Sequence, residues 1–197
     1  MKKMEQLYEG KAKKVYKTED PKKLIVDYKD DATAFNGKKK GQIVGKGVIN
    51  NTMSNILFQK LEEEGVPTHY IEQLSDRETL VKAVKILPLE VIVRNVSAGS
   101  FAKRYGVEEG IVFDEPSFEM SYKCDALDDP LMCESHAIAL KLATKEQIET
   151  IKKYTMKINN VLKEFFLERG LKLIDFKIEF GLYGGEIILA DEISPDT

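Results

Sequence analysis

The sequence has 197 residues, and its 30 Lys and Arg against 33 Asp and Glu give a formal net charge of −3. This balance excludes a broadly basic nucleic-acid-binding protein, and no apolar run approaches the ~20 residues that a membrane-spanning helix needs. We therefore expect a globular protein of the cytoplasm, with neither a nucleic acid nor a membrane as partner, in which Cys124 and Cys133 are reduced thiols.

The first third of the sequence alternates short apolar segments with turn residues, a pattern typical of a small antiparallel sheet. Strands are predicted over 7–8 and 15–16, on the two sides of a basic turn, and over 24–28. Residues 36–47 are rich in glycine and lysine and are predicted to form a mobile surface loop.

A helix and three strands are predicted in the middle of the sequence. The helix ends near Gly65 and is indicated by apolar residues at helical spacing, at positions 49, 53, 56, 57 and 61. The strands are predicted over 69–74, 80–86 and 89–96. Because proline cannot donate a backbone hydrogen bond, Leu87-Pro88 is predicted to break the strand pattern. This break predicts two lobes, formed by residues 1–86 and 87–197.

One long helix and a hairpin are predicted in the last third. Thr144 and Gln147 form a capping box at the start of the clearest helix in the sequence. The segment 125–134 before it is acidic and is predicted to be irregular. Two strands, over 173–180 and 186–193, are predicted to pair as a hairpin. Because strands and helices do not alternate regularly along the sequence, the predicted fold class is α+β.

Charged residues alternate with apolar ones in the first strand of this hairpin. Because successive side chains of a strand point to opposite faces, one face carries Asp175, Lys177 and Glu179. Periodicity alone favours a half-buried strand whose outer face is solvated. The returning strand, however, is apolar on both faces until Asp191 and Glu192, which indicates a cleft lined by charged side chains.

The register of the hairpin decides which carboxylate faces Lys177. A two-residue turn at Gly184-Gly185 would place Glu192 there, whereas a three-residue turn would place Asp191 there. Either register brings two carboxylates close to a lysine, and such oxygen ligands suit magnesium. The residues themselves leave both registers open.

Two further groups of residues could bind anions. Lys11 and Lys13 follow Gly10 at a spacing that puts both ammonium groups on one side of an extended chain, where they could neutralise a polyphosphate. Arg94 emerges from an apolar strand beside the Gly/Ser turn at 97–100 and could hold a phosphate or a carboxylate. The alternatives are a solvated hairpin turn for the lysines and a structural ion pair for the arginine.

Four stretches of the sequence resemble the motifs of the SAICAR synthetases. They are residues 87–100 (LPLEVIVRNVSAGS), 173–181 (LIDFKIEFG), 8–13 (YEGKAK) and 191–196 (DEISPD). The resemblance implies a two-lobed α+β enzyme whose N-terminal antiparallel lobe is similar to that of protein kinases, with ATP held between the lobes. It also implies a homodimeric ligase that joins L-aspartate to the carboxylate of carboxyaminoimidazole ribonucleotide (CAIR) and converts ATP to ADP and phosphate.

The resemblance implies roles for individual residues. Those that would contact ATP are Gly10, Lys11, Ala12, Lys13, Val15, Val81, Lys82 and Ile86. Those that would hold CAIR are Arg94, Ser100, Asp175 and Lys177; within these two groups, the catalytic residues would be Lys11, Lys13, Asp175 and Lys177. Magnesium would be carried by Glu179 and Asp191, and Asp129 would serve a second ion or the aspartate substrate. This assignment favours the three-residue turn.

One departure from the family and two alternative functions accompany the resemblance. Family members continue beyond the Ser-Pro-Asp motif, so we expect that a C-terminal segment is missing after Thr197. The first alternative is a kinase-like phosphotransferase acting on another small molecule. The second is a non-catalytic nucleotide- or RNA-binding protein that uses Lys38–Lys40, although the interleaved aromatic residues of a base-stacking surface are missing.

Overall fold

The computed structural model describes residues 1–34 and 39–197, which form two compact units. The first unit comprises Met1–Ile86 and Gly181–Thr197, and the second comprises Leu87–Phe180. The lobe boundaries predicted from the sequence placed residues 181–197 with residues 87–180, whereas the structure groups them with residues 1–86. The reason is a set of backbone hydrogen bonds around Leu189, whose N–H donates to Pro67 and whose carbonyl accepts from His69, both at 2.9 Å.

Strands and helices occur in both units. In chain order the strands are β1 (Lys3–Glu9), β2 (Lys13–Thr18), β3 (Lys23–Tyr28), β4 (Asp31–Ala34), β5 (Lys39–Gln42), β6 (Tyr70–Gln73), β7 (Glu78–Lys82), β8 (Lys85–Val96), β9 (Val112–Tyr122), β10 (Leu131–Met132), β11 (Asp175–Tyr183) and β12 (Glu186–Ala190). The helices are α1 (Lys46–Glu63), α2 (Gly99–Tyr105), α3 (Glu134–Ala139) and α4 (Lys145–Leu167), and a 3₁₀-helix covers Asp125–Leu127.

The first unit is built on an antiparallel sheet with the strand order β1-β2-β3-β7-β6. The small antiparallel sheet predicted for the first third of the sequence is therefore confirmed. Apolar residues of β2, β3 and β7 share one face because alternate side chains of paired strands point the same way. These residues are Val15, Leu24, Val26, Tyr28 and Val81.

The loop predicted over 36–47 is wrong in its extent. β4 and β5 pair with each other, and α1 already begins at Lys46; residues 35–38 lie outside the described residues. The helix begins in this glycine-rich segment because the carboxylate of Asp30 accepts the Gly47 N–H at 2.9 Å and the Gly45 N–H at 3.3 Å. Hydrogen bonds from Arg77, followed by the one from Gly47, hold the pKa of Asp30 well below its usual range.

Replacing Gly47 by alanine is expected to destabilise the first unit. An added Cβ would lie 2.5 Å from the Tyr28 carbonyl oxygen and 2.9 Å from the Lys29 carbonyl oxygen, and backbone atoms cannot swing aside. We expect a loss of about 1–3 kcal/mol in the free energy of unfolding, measured by urea denaturation. Gly41→Ala is the matched control because its Cβ would meet no atom within 4 Å. An unchanged free energy for Gly47→Ala would contradict this packing.

Helix α1 is present as predicted, but its buried face is largely polar. Ile49 and Ile56, two of the residues that indicated the helix, are 60% and 49% exposed, whereas Asn50, Asn51, Ser54 and Asn55 are buried. Hydrogen bonds compensate this burial. The Asn55 side-chain amide donates to Thr79 Oγ1 at 2.8 Å, and the Ser54 hydroxyl donates to the Ile193 carbonyl at 2.9 Å.

The second unit contains strands in the order β10-β9-β8-β11, with helices packed on the apolar side. Its core joins Leu89 of β8 and Met120 of β9 to Ala137 of α3 and Ile148 of α4. The predicted capping box at Thr144 is confirmed, and α4 follows it. Buried Asn95 and Asn159 exchange two amide hydrogen bonds of 2.9 and 3.0 Å, which connect β8 to α4.

Two features of this unit differ from the sequence-based expectation. β8 runs through Leu87-Pro88 without a break, because its pairing with β9 begins only at Leu89 and Pro88 interrupts no hydrogen bond of that ladder. The segment 125–134 is not wholly irregular, since β10 pairs with β9 there and a 3₁₀-helix precedes it.

Candidate active site

In the first unit, a buried lysine lies between two carboxylates. Lys13, at the start of β2, has a side chain that is 11% exposed. Its Nζ lies 2.7 Å from Asp191 Oδ1 and 3.6 Å from Glu192 Oε1. Burial opposes the charge of Lys13, but these two carboxylates outweigh it and raise the pKa of the ammonium group. Lys13 therefore stays charged in a site with little access to water.

The backbone of Asp191 explains how both carboxylates reach the same lysine. β12 ends at Ala190, and Asp191 adopts a left-handed conformation with φ of 64°. Strand alternation therefore stops before Asp191, so the sequence-based register argument does not apply to its side chain.

The loop that joins β11 to β12 has two residues, Gly184 and Gly185, both with positive φ. The three-residue turn that the resemblance favoured is wrong.

His69 stabilises this backbone conformation of Asp191. Its ring is buried, packs against Phe58 with centroids 5.1 Å apart, and makes a hydrogen bond to the backbone of Asp191. Burial, followed by the nearby charge of Lys13, lowers the pKa of His69 to about 3. His69 is therefore neutral at physiological pH, and it adds no positive charge beside Lys13.

Acidification is expected to destabilise the first unit through His69. Because the folded-state pKa lies below the ~6.5 of an unfolded histidine, the unfolded state takes up a proton first as the pH falls below that value. The contribution of the neutral His69 to the free energy of unfolding is complete above about pH 6.5. Below that pH it decreases by about 1.4 kcal/mol per pH unit, until the pH reaches the pKa of His69 in the folded state. Urea unfolding of His69→Gln from pH 7 to pH 5 should have a shallower pH dependence than the parent. The same slope in His69→Gln would contradict this assignment, and exposed His136→Gln is the control.

The other residues expected to contact ATP lie around the same sheet. Gly10 closes the turn before β2 by donating its N–H to the Lys13 carbonyl at 2.8 Å, and Lys11 at this turn is exposed. Val15 and Val81 belong to one apolar cluster. The Lys82 Nζ donates to the Thr68 carbonyl at 2.7 Å. Ile86 is 37% exposed, and Ala12 is half-buried.

In the second unit, charged side chains of β8, β9 and β11 share one side of the sheet. We call this side the polar face; it comprises Glu90, Arg94, Glu119, Asp175, Lys177 and Glu179. Arg94 is at its centre and is 6% exposed. Its Nη1 donates to Asp175 Oδ2 at 2.9 Å and its Nη2 donates to Ser100 Oγ at 3.1 Å. The structure thus brings together three of the four residues predicted to hold CAIR.

The fourth, Lys177, belongs to a chain of ion pairs along β11. Its Nζ lies 2.5 Å from Glu90 Oε1 and 3.8 Å from Glu179 Oε1. Glu179 is 3% exposed, and Lys123 donates to both of its carboxylate oxygens at 2.6 and 2.5 Å. A solvated outer face, which periodicity alone favoured for this strand, is therefore wrong at Glu179.

The match to a known family extends over almost the whole chain. The family described as SAICAR synthetase matches residues 6–197. The chain belongs to the SAICAR synthetase family. The phosphoribosylaminoimidazole-succinocarboxamide synthase of Lachnoclostridium phytofermentans is 67% identical over 197 residues, which are 100% of this chain and 84% of the relative.

Solved structures of SAICAR synthetases have the same fold. The phosphoribosylaminoimidazole-succinocarboxamide synthase of Ehrlichia chaffeensis is 46% identical with a TM-score of 0.94, over 97% of this chain and 82% of the other. A SAICAR synthetase in complex with ADP is 45% identical with a TM-score of 0.93, over 97% and 81% of the two chains. The resemblance inferred from the motifs is thereby confirmed, as is the mixed α+β fold with antiparallel sheets.

Several charged residues near these sites were not predicted from the sequence. Glu119 and Lys123 lie on β9 or directly after it, and no strand was predicted there. A signal was present, because residues 117–122 alternate polar and apolar side chains with period two. Glu90 lies inside a recognised motif, and His69 gave no signal, since its role depends on a distant stretch of the chain.

Within residues 1–34 and 39–197, neither a ready metal site nor a membrane-spanning helix is found. No cluster of three or more His, Cys, Asp or Glu side chains there forms a ready metal site, and no helix there has the length and apolarity to cross a membrane. Asp129, which the resemblance assigned to a second ion or to the aspartate substrate, accepts the Cys124 N–H on Oδ1 at 2.7 Å. Both cysteines are free thiols.

Proposed function

We propose that the chain is an ATP-dependent ligase of purine biosynthesis that joins CAIR and L-aspartate to give SAICAR, ADP and phosphate. The observation that carries this proposal is the SAICAR synthetase match over residues 6–197. The relative with bound ADP supports a nucleotide substrate. Lys13 in the first unit, and Arg94 and Lys177 in the second, offer the positive charges that two anionic substrates would need.

The nucleotide is assigned to the first unit. Lys13 would neutralise phosphate charge together with Lys11, while Gly10 and Ala12 let the backbone approach the phosphates. The apolar cluster that contains Val15 and Val81 offers a surface for adenine, bordered by Lys82 and Ile86. A lysine kept charged by its surroundings suits this role, because phosphoryl transfer depends on positioning and on charge neutralisation.

CAIR is assigned to the polar face of the second unit. Arg94 and Lys177 would bind its anionic groups, and the Ser100 hydroxyl would donate a further hydrogen bond. Asp175, whose side chain is 37% exposed, can exchange its contact with Arg94 for one with the substrate. The Ser100 hydroxyl, 3.1 Å from Arg94 Nη2, adds a neutral hydrogen-bonding group beside the ion pairs of Arg94 and supports this assignment.

Magnesium is assigned to two carboxylates that are paired with lysine side chains in this structure. Glu179 is paired with Lys123 and Asp191 is paired with Lys13, and carboxylate oxygens are the ligands that Mg²⁺ prefers. Asp129 would serve a second ion or the aspartate substrate through the oxygen that Cys124 leaves available. When bound, the metal would supply neutralisation of phosphate charge.

The proposed reaction has two steps. A CAIR carboxylate oxygen attacks the γ-phosphorus of ATP, so that ADP leaves and an acyl phosphate forms. The amine of L-aspartate then attacks the acyl carbon, the C–O bond to phosphate breaks, and the amine proton passes to solvent or to the departing phosphate. The chain contributes mainly positioning and charge. A kinase-like first lobe, ATP between the lobes, a homodimer and a cytoplasmic location remain predictions.

A substrate-omission assay tests the proposal. ADP release from the purified chain is measured with ATP, CAIR and L-aspartate together and with each omitted in turn. We expect ADP and SAICAR to form together only in the complete mixture. Stoichiometric ADP from ATP and CAIR alone, with no dependence on aspartate, would favour the phosphotransferase alternative. Nucleotide binding without turnover in any mixture would favour the non-catalytic one.

A further inference from the structure

The carboxylate of Glu119, on the neighbouring strand β9, lies beside Arg94 on the polar face. Its side chain is only 9% exposed. Oε1 accepts the Nε–H of Arg94 at 3.0 Å, and Oε2 accepts a longer hydrogen bond from Arg104 Nη1 at 3.4 Å. Both oxygens of Glu119 are therefore engaged by guanidinium groups of the chain itself.

This contact fixes the direction of the whole Arg94 guanidinium. Because the group is planar and rigid, holding Nε also sets where Nη1 and Nη2 point. They point to Asp175 and to Ser100. The ring of Phe101 lies 5.8 Å from Arg94 Cζ and limits rotation further.

The two carboxylates that flank Arg94 differ in exposure. The side chain of Asp175 is 37% exposed and that of Glu119 is 9% exposed. The side of the guanidinium toward Asp175 is thus the one that solvent reaches and a ligand can approach. Glu119 occupies the closed side, where it balances the charge of Arg94 without competing for that ligand.

We infer that Glu119 is a positioning residue, which acts through Arg94 to present its two terminal nitrogens to an anionic group of CAIR. The inference rests on the proposed function and deepens it, since it adds a residue of β9 to a substrate site assigned to β8, α2 and β11. Stability alone is a weak explanation for a buried ion pair, because well-packed apolar residues often stabilise a fold equally well.

Steady-state kinetics of Glu119→Ala test the inference. We expect the KM for CAIR to rise about tenfold or more, because a guanidinium freed at Nε loses its fixed direction. The KM for ATP should stay within about twofold. Arg104→Ala is the matched control: it removes the other partner of the same carboxylate, and the KM for CAIR should stay within about threefold. Equal effects of Glu119→Ala on both KM values would overturn the inference.

A double-mutant cycle shows whether Glu119 acts through Arg94. In an Arg94→Ala background, Glu119→Ala should change the KM for CAIR by less than about twofold, since nothing remains to position. The full effect persisting in that background would contradict the inference. Glu119→Gln keeps the size and one acceptor for Nε, so it should retain part of the affinity, and it replaces the alanine variant if that variant does not fold.

A readout that needs no substrate separates this inference from the proposed function. The ¹⁵N–¹H resonance of the Arg94 Nε–H should shift and exchange faster with water in Glu119→Ala, but not in Arg104→Ala. If the parent chain fails the omission assay, the proposed function fails, while this resonance still decides whether Glu119 holds Arg94. An Nε–H signal unaffected by Glu119→Ala overturns the inference.

Discussion

Replacing Lys13 by methionine is expected to reduce turnover by about 10²–10³-fold and to destabilise the first unit. The change leaves Asp191 and Glu192 close together without the ammonium group that lies 2.7 and 3.6 Å from them. Removing one partner of a buried ion pair costs about 3 kcal/mol, because the remaining charge loses its compensation. Urea denaturation measures the loss of stability, and SAICAR formation at saturating substrates measures the loss of turnover.

Two controls separate the contributions to this effect. Lys13→Arg keeps the positive charge, so it should recover most of the stability even where the larger group misplaces the phosphates. Lys17→Met removes a surface ion pair with Glu5, whose members are 48% and 63% exposed, and should change stability by less than about 1 kcal/mol. If Lys13→Met is as stable and as active as the parent, Lys13 neither holds the two carboxylates nor serves the phosphates.

The parts of the fold that depend on local signals were predictable from the sequence. The capping box at Thr144 fixes the start of α4 within a few residues, and its apolar spacing matches the face that the structure buries. The buried face of α1 was not predictable. Asn51 and Asn55 are acceptable there only because Thr79 of β7 and the backbone at Ser75 accept their hydrogen bonds. Those partners lie more than twenty residues away along the chain, beyond the reach of periodicity.

The candidate site was also predictable only in part. The motifs identified Arg94, Ser100 and Asp175, and alternation along β11 correctly separated charged from apolar side chains. Alternation failed at Asp191, because a left-handed residue follows β12 and redirects its side chain toward Lys13. Glu119 was missed for another reason: its significance comes from the Arg94 that it orients, and that pairing exists only after β8 and β9 have come together.

Replacing Glu179 by glutamine is expected to reduce turnover by at least about 100-fold while the chain stays folded. The amide keeps the shape of the side chain but removes a negative charge that neutralises Lys123 and, at 3.8 Å, Lys177. A neutral amide is also a poorer ligand for a hard divalent cation. The Mg²⁺ concentration for half-maximal SAICAR formation should therefore rise about tenfold or more, measured at saturating ATP, CAIR and L-aspartate.

The magnesium dependence distinguishes a metal-holding role from a general electrostatic one. If Glu179 only compensates Lys123 and Lys177, turnover falls but the Mg²⁺ requirement keeps its parent value, and the metal assignment is wrong. Glu115→Gln is the matched control, because it removes an exposed carboxylate from β9 in the same unit and should change neither quantity. Lys123 is 42% exposed, so water can solvate its ammonium group once Glu179 is neutral. A large loss of stability is therefore not expected, and a fall in turnover reports on the site.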